Sequence, residues 1–374
     1  MPLQEIPAAF WRGGTSKAVV FRIGDLPPDR ADWDPVLLGV MGSPDPNGRQ
    51  LDGMGGGISS LSKVCVLGPA TRADADVDFT FAQVPVGAGP VDYGGNCGNM
   101  IAAMGPAALD LGLVPAPADG MARVRIHNTN TAKVIVSHFP VRAGQAETDG
   151  ALAIDGVAGS AAPIRLEFLD PGGAKTGRLL PSGAAVDDLS VAGRVIRASL
   201  VDAANPCVFV AATDLGLTGA EHPDLLAGDK AFLSTMESIR RAGSVRMGLA
   251  PDPEGAAGIQ SIPKIAIVAP PRDATLLSGA MLPADRVSIM VRMLSMEQPH
   301  RAVPITGAIC LAISARIPGT VAHAACAAGE GPLTISHPSG STLVDAELSG
   351  AQAVSGSVYR TARKLFGGAV FFRG

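Results

Sequence analysis

The chain has 374 residues, of which 47% are apolar, 17% charged and 4% aromatic, with a formal net charge of −4. This length exceeds one ordinary core and suits two domains, and the Val, Ile, Leu and Ala spread along it exclude disorder despite 46 glycines and 30 prolines. Charges of both signs are scattered with no basic face, which excludes an ordinary nucleic-acid binder.

Taken in chain order, short β-branched runs bounded by Gly, Pro, Asn or Asp predict strands. They fall at 17–21, 62–68, 123–128, 133–139, 205–211, 264–270 and 368–372. Helical periodicity is clearest at 98–111 and 306–315, with weaker candidates at 35–41, 230–242 and 286–296. The class predicted is α+β with much sheet. The N-terminus has no basic start leading into an apolar run, so no signal peptide is expected. The apolar region 305–328 is broken by Arg316, Pro318 and His323 and reads as a core helix rather than a membrane span.

Three segments recur in the same order. SLSKVCVLGP (60–69) resembles SIPKIAIVAP (261–270), which aligns Lys63 with Lys264. AVVF…DL (18–26) resembles CVFV…DL (207–215), and GNCGNMIAAMGPAALDLG (95–112) has a mate in PITGAICLAISARIPG (304–319). Two related halves follow: residues 1–185, completed by about 355–374, and residues 186–354.

The five cysteines contain no CxxC pair, and four lie in apolar runs where a buried thiol is inert. That pattern fits a reducing, cytoplasmic setting. Cys97 differs, because it sits among Gly and Asn at the expected start of a helix. Asn96 is a suitable N-cap, and Gly98 and Asn99 leave the first-turn amides uncrowded. Such a terminus attracts anions, and a thiol there ionises more readily than a free one. PITGAIC repeats the arrangement, with Thr306 as the expected cap and Gly307 and Ala308 in the first turn. Both helix starts are candidate carboxylate sites.

LDGMGGGISSLSKV (51–64) places Ser62 and Lys63 at the head of a strand, behind a glycine-rich loop. It lacks the Gly-Lys of a Walker motif and the third glycine of GxGxxG, which disfavours nucleotides. Lys63, repeated as Lys264, is therefore read as a base or a carboxylate anchor. In FWRGGTSK, the side chains of Arg12, Thr15 and Ser16 can bind a carboxylate. His300, just ahead of the second helix start, is the histidine expected to face substrate. The six histidines show no metal-ligand spacing and GxSxG is absent, so neither a metal site nor a serine hydrolase is indicated.

At these residues the sequence resembles the methylaconitate/methylitaconate/oxalomesaconate isomerase family, which has the diaminopimelate-epimerase-like fold. The resemblance runs nearly end to end through RGGTSK (12–17), MGSPD (41–45), QLDGMGGGISSLSK (50–63), VDYGGNCGN (91–99), TGRLLPSG (176–183), SMEQPH (295–300) and HPSG (337–340). It implies two pseudo-symmetric domains, each a sheet wrapped around a central helix. It also implies a cofactor-independent proton shift or cis–trans isomerisation in a small unsaturated polycarboxylate, with the family's lysine and cysteine falling on Lys63 and Cys97. Neither a metal nor any other cofactor, nucleic acid or membrane partner is expected, and a homodimer is compatible with the sequence. GGGISS and SKA depart from the family's commoner pattern in loops that read the substrate. A non-catalytic polycarboxylate-binding protein and an amino-acid epimerase are the alternatives; the second lacks the second cysteine, whose place falls near Pro304.

Overall fold

The computed structural model describes residues 3–94, 97–295 and 298–373. The chain divides into two compact units, Met1–Glu167 with Tyr359–Gly374, and Phe168–Val358. The fold is α+β and mostly sheet. Among the described residues no helix is long and apolar enough to cross a membrane.

In the first unit, β1 (Leu3–Gly13) and β2 (Ser16–Arg22) form a hairpin. The sheet continues through β3 (Lys63–Pro69), β4 (Val77–Gln83), β5 (Gly120–Asn128) and β6 (Lys133–Arg142), then the two-residue β7 (Gln145–Ala146) and β8 (Ile164–Leu169). The strand pairs from β1 to β6 run antiparallel, parallel, antiparallel, parallel, antiparallel. The C-terminal strand, Ala362–Arg373, pairs with the other edge of β1.

Helix α1 (Trp33–Met41) links β2 to β3 and packs Trp33, Leu37 and Val40 against Val19, Phe21, Val64 and Val66 on one face of the sheet. Helix α2 (Gly98–Asp110) links β4 to β5 and packs on the other face, against β1, β2, β5 and β6. Every residue from Met100 to Leu109 is buried, so α2 is a core helix apolar all round rather than an amphipathic surface helix. Gly105 permits the close fit, since a Cβ there would lie 2.6 Å from Ser137 Oγ.

The second unit holds β9 (Asp187–Val191), β10 (Arg194–Ala203), β11 (Asn205–Ala211) and β12 (Lys264–Ala269). A small separate hairpin, β13 (Ala274–Thr275) and β14 (Met281–Leu282), precedes β15 (Ile289–Ser295). The two-residue β16 (Gln298–Pro299), β17 (Leu333–His337), β18 (Gly340–Ser349) and β19 (Gln352–Arg360) follow. From β10 through β11, β12, β15 and β17 to β18, the strand directions repeat the sequence found in the first unit.

Its helices are the short α3 (Pro223–Gly228), the amphipathic α4 (Lys230–Arg246), the short α5 (Pro253–Ala257), the core helix α6 (Ile305–Arg316) and the short α7 (Val321–Ala325). Helices α4 and α6 occupy the connections that α1 and α2 occupy in the first unit.

Two expectations need correction. The helix expected at 286–296 is β15: Met290, Val291, Met293 and Leu294 are all buried, and the run pairs with β12 through Ile265↔Leu294. A short apolar run buried on both faces carries no period by which to tell strand from helix. The unit boundary falls after Glu167 rather than near 185. The intervening segment is tied to the second unit by Asp202 of β10, whose carboxylate accepts from the amides of Lys175 and Thr176 at 2.8 and 2.7 Å.

Candidate active site

Strand register places the chemistry. In the β1–β2 hairpin Gly13 lies opposite Ser16, and a Cβ on Gly13 would meet the Asn99 carbonyl oxygen of α2 at 2.6 Å. Side chains alternate along a strand, so Ser16, Ala18 and Val20 face α2. Val20 pairs with Cys65, which puts Cys65 and Lys63 on that same face of β3. Lys63 and Cys65 in turn lie opposite Gln83 and Phe81 of β4. Three adjacent strands, β2, β3 and β4, thus direct Ser16, Lys63, Cys65, Phe81 and Gln83 toward the helix that begins at Cys97.

Cys97 is the N-cap residue of α2 and is 9% exposed. Its Sγ is 3.9 Å from Ser16 Oγ, and its carbonyl accepts from the Ile101 amide at 3.1 Å. Among the described residues no side chain caps this terminus, and no acidic residue sits in its first turn, so its positive end favours an anion.

Lys63 is 7% exposed. Its Nζ donates to Gln83 Oε1 and lies 5.1 Å from the Phe81 ring centroid. The partner is a neutral amide, not a carboxylate. Gln83 is itself held, because its Nε2 donates to the carbonyls of Ser59 at 3.1 Å and Ser62 at 2.8 Å. The Cys65 thiol shares this face with Lys63. Full burial pushes it well up, Cys97 adds to that, and the Lys63 charge opposes it. One buried thiol therefore feels both Lys63 and Cys97.

The remaining predicted residues divide. Thr15 Oγ1 accepts from Asn99 Nδ2 at 3.1 Å, which ties the hairpin turn to the first turn of α2 beside Gly98. Ser62 is fully buried, and its hydroxyl donates to the Val84 carbonyl while accepting from Gln50 Nε2. That hydroxyl braces the loop and is spent within the protein, contrary to its expected ligand role. Arg12 is also misplaced by the sequence reading. It lies opposite Lys17 rather than Ser16, so it points to the sheet face away from Cys97. Its Nη1 donates to the carbonyls of Gly14 and Thr361 and to Thr361 Oγ1, each at 3.0 Å. Asn96 lies outside the described residues, and the N-cap expected there is Cys97.

In the second unit, Lys264 opens β12 opposite Cys207. Burial and the Lys264 charge both push the His300 imidazolium down from its ordinary value, so these two groups are near neighbours. Burial likewise lowers Lys264, with Cys207 opposing. His300 Nε2 is buried, and among the described residues it has no hydrogen-bond partner. The cap of α6 is Pro304, not Thr306, which is a second-position helix residue; the helix starts two residues earlier than its hydroxyl suggested. Gly307 and Ala308 are buried, and a Cβ on Gly307 would meet Met293 Sδ at 2.6 Å. Gly307 therefore serves packing.

Gln83, Phe81 and Cys65 were not singled out from sequence. The signal for Gln83 was a polar side chain ending the apolar run VDFTFA, but only the β3–β4 register shows that it faces Lys63.

Residues 3–373 match the PrpF protein family. The 3-methylitaconate isomerase of Eubacterium barkeri is 40% identical over 98% of this chain and 97% of its own length. The 2-methyl-aconitate isomerase of Cupriavidus necator is 41% identical, again over 98% and 97%. The (4E)-oxalomesaconate Delta-isomerase of Novosphingobium sp. (strain KA1) is 40% identical over 99% and 98%. A crystal structure of methylitaconate-delta-isomerase, 39% identical, superposes with a TM-score of 0.92 over 100% of this chain and 96% of that one. Over virtually its whole length, this chain belongs to the PrpF family.

Proposed function

We propose that the protein is an isomerase that moves a proton along a small unsaturated di- or tricarboxylate, with Lys63 and Cys97 as the acid/base pair. The observation that carries this reading is that Lys63 sits on the sheet face turned toward α2, whose N-cap is Cys97, and that the buried Cys65 thiol on that face feels both. The isomerase class is that of the relatives, whose names cover methylitaconate, methylaconitate and oxalomesaconate. Substrates of that type are the ones proposed here.

A C–H bond next to a conjugated carboxylate is a weak acid. In the simplest assignment, the Lys63 amine takes the proton and the C–H electron pair enters the conjugated system as a dienolate. The Cys97 thiol then delivers a proton to the far carbon, and transfer from the lysine ammonium to the thiolate restores both groups. The developing charge falls beside the uncapped start of α2, where a well-placed amide donor contributes about 3 kcal/mol. Asn99, tied to Thr15, holds that first turn against the hairpin. Within the second unit, the neighbours Lys264 and His300 are proposed as an anion-binding pair of their own.

The test is turnover of methylitaconate, methylaconitate, aconitate and oxalomesaconate, followed by proton NMR in heavy water. The expected product carries solvent deuterium at an allylic carbon, and Lys63→Ala and Cys97→Ser each lower turnover by roughly 10²-fold or more with the fold intact. Full retention of the original hydrogen would overturn the two-residue shuttle, and full activity of either variant would remove that residue from the chemistry.

A further inference from the structure

The RGGTSK segment carries two cations that the proposed chemistry leaves unused. Register sets Arg12 directly opposite Lys17 on β2 and, across its other edge, directly opposite Arg363 on the C-terminal strand. Directly opposed residues share a face, so Lys17, Arg12 and Arg363 form one row of three positive charges across three adjacent strands. Like charges in such a row destabilise a sheet.

No described carboxylate is paired with the row. Among the described residues none of the three takes part in an ion pair. The one Arg12 nitrogen that is engaged binds neutral oxygens only. Lys17 leans over the Phe10 ring, 5.7 Å from its centroid. Burial, with Arg363 beside it, pushes the Arg12 guanidinium down from its ordinary value.

The two arginines border a cavity of about 470 Å³. Its other walls include Thr148, Leu152 and Val157, and Asp149 also lines it, without an ion pair to either arginine. A volume of this order suits a small organic ligand. The guanidinium fork matches a planar carboxylate, and the aliphatic wall favours a ligand with a carbon skeleton over inorganic phosphate.

We propose that this cavity, on the face of the first unit's sheet opposite Lys63 and Cys97, binds a small organic carboxylate between Arg12 and Arg363. It is a second anion site, separate from the one where isomerisation is proposed. It does not depend on the isomerase reading.

Protection from arginine modification tests it locally. The full chain is treated with phenylglyoxal, with or without methylsuccinate, inorganic phosphate or ionic-strength-matched chloride, and adduct formation at Arg363 is followed by peptide mass spectrometry. Methylsuccinate is expected to slow modification of Arg363, in the native chain and equally in Lys63→Ala, and phosphate to protect less. In calorimetry, Arg363→Gln is expected to weaken the corresponding binding step about tenfold, equivalent to about 1.4 kcal/mol. Equal modification rates with and without methylsuccinate would overturn the proposal. So would protection that disappears in Lys63→Ala, since the anion would then occupy the Lys63 face. Stronger protection by phosphate would overturn the carboxylate assignment.

Discussion

Replacing Gln83 by leucine separates positioning from chemistry, because Gln83 touches Lys63 without being able to take a proton. The substitution shortens the side chain by one atom and removes three hydrogen bonds: one from the Lys63 ammonium or amine, and two donated to the carbonyls of Ser59 and Ser62. Neutral bonds of this kind contribute about 1 kcal/mol each, and one to a charged group about 1.5–3 kcal/mol. The Ser59 carbonyl is at the surface and regains water, so the stability loss expected is about 2–3 kcal/mol rather than the full sum. The larger effect is on rate. Freed from Gln83, the Lys63 amine rotates about its stem, and a misplacement of about 1 Å costs roughly 10²-fold. Steady-state kinetics should show a lower kcat with little change in KM, while urea unfolding reports the stability term separately. A kcat within about twofold of native, with the stability loss present, would refute the claim that this amide aims the lysine.

Three further outcomes are expected. Gly14→Ala places a Cβ 2.3 Å from Asn99 Oδ1 at a residue with φ +50; it should destabilise the first unit by about 1–3 kcal/mol and lower activity, measured by urea unfolding and turnover. Gly105→Ala drives a methyl to 2.6 Å from Ser137 Oγ inside a fully buried helix, and overpacking there should cost about 1–3 kcal/mol with KM unchanged. His300 titrates lower in the folded protein than when unfolded. Between those two values the unfolded chain holds more protons, so stability falls as pH drops below the unfolded value of about 6.5. His300→Gln should flatten that slope in urea midpoints taken between about pH 5 and 7; an unchanged slope would show that another group sets it.

Much of the fold was legible because its signals are local. The strands at 62–68, 205–211 and 264–270 are short, β-branched and bounded by turn residues, and they appear as β3, β11 and β12. The repeat was legible too: the alignment of AVVF with CVFV and of Lys63 with Lys264 reappears as matching parallel pairs, Val19↔Val64 and Val208↔Ile265. Facing was not legible. Arg12 and Ser16 are four residues apart and look like one motif, yet the tight turn through Gly14 and Thr15 sends them to opposite faces. Ser62 adjoins Lys63 and looked functional for the same reason, but strand alternation turns its hydroxyl to Gln50 and Val84. Caps were mistaken where hydroxyl or amide chemistry suggested Thr306 and the helices instead begin after Pro304 and Cys97.

The pairing of β1 with the C-terminal strand has a bearing on biosynthesis. Until translation reaches Arg373, β1 lacks one neighbour along Leu3–Gly13 and presents an open edge, whereas every partner strand of β10, β11 and β12 has by then left the ribosome. The lysine- and cysteine-bearing half is accordingly the later one to close. A stop codon before residue 362 would leave it with a bare, pairing-prone margin and a substrate for proteases.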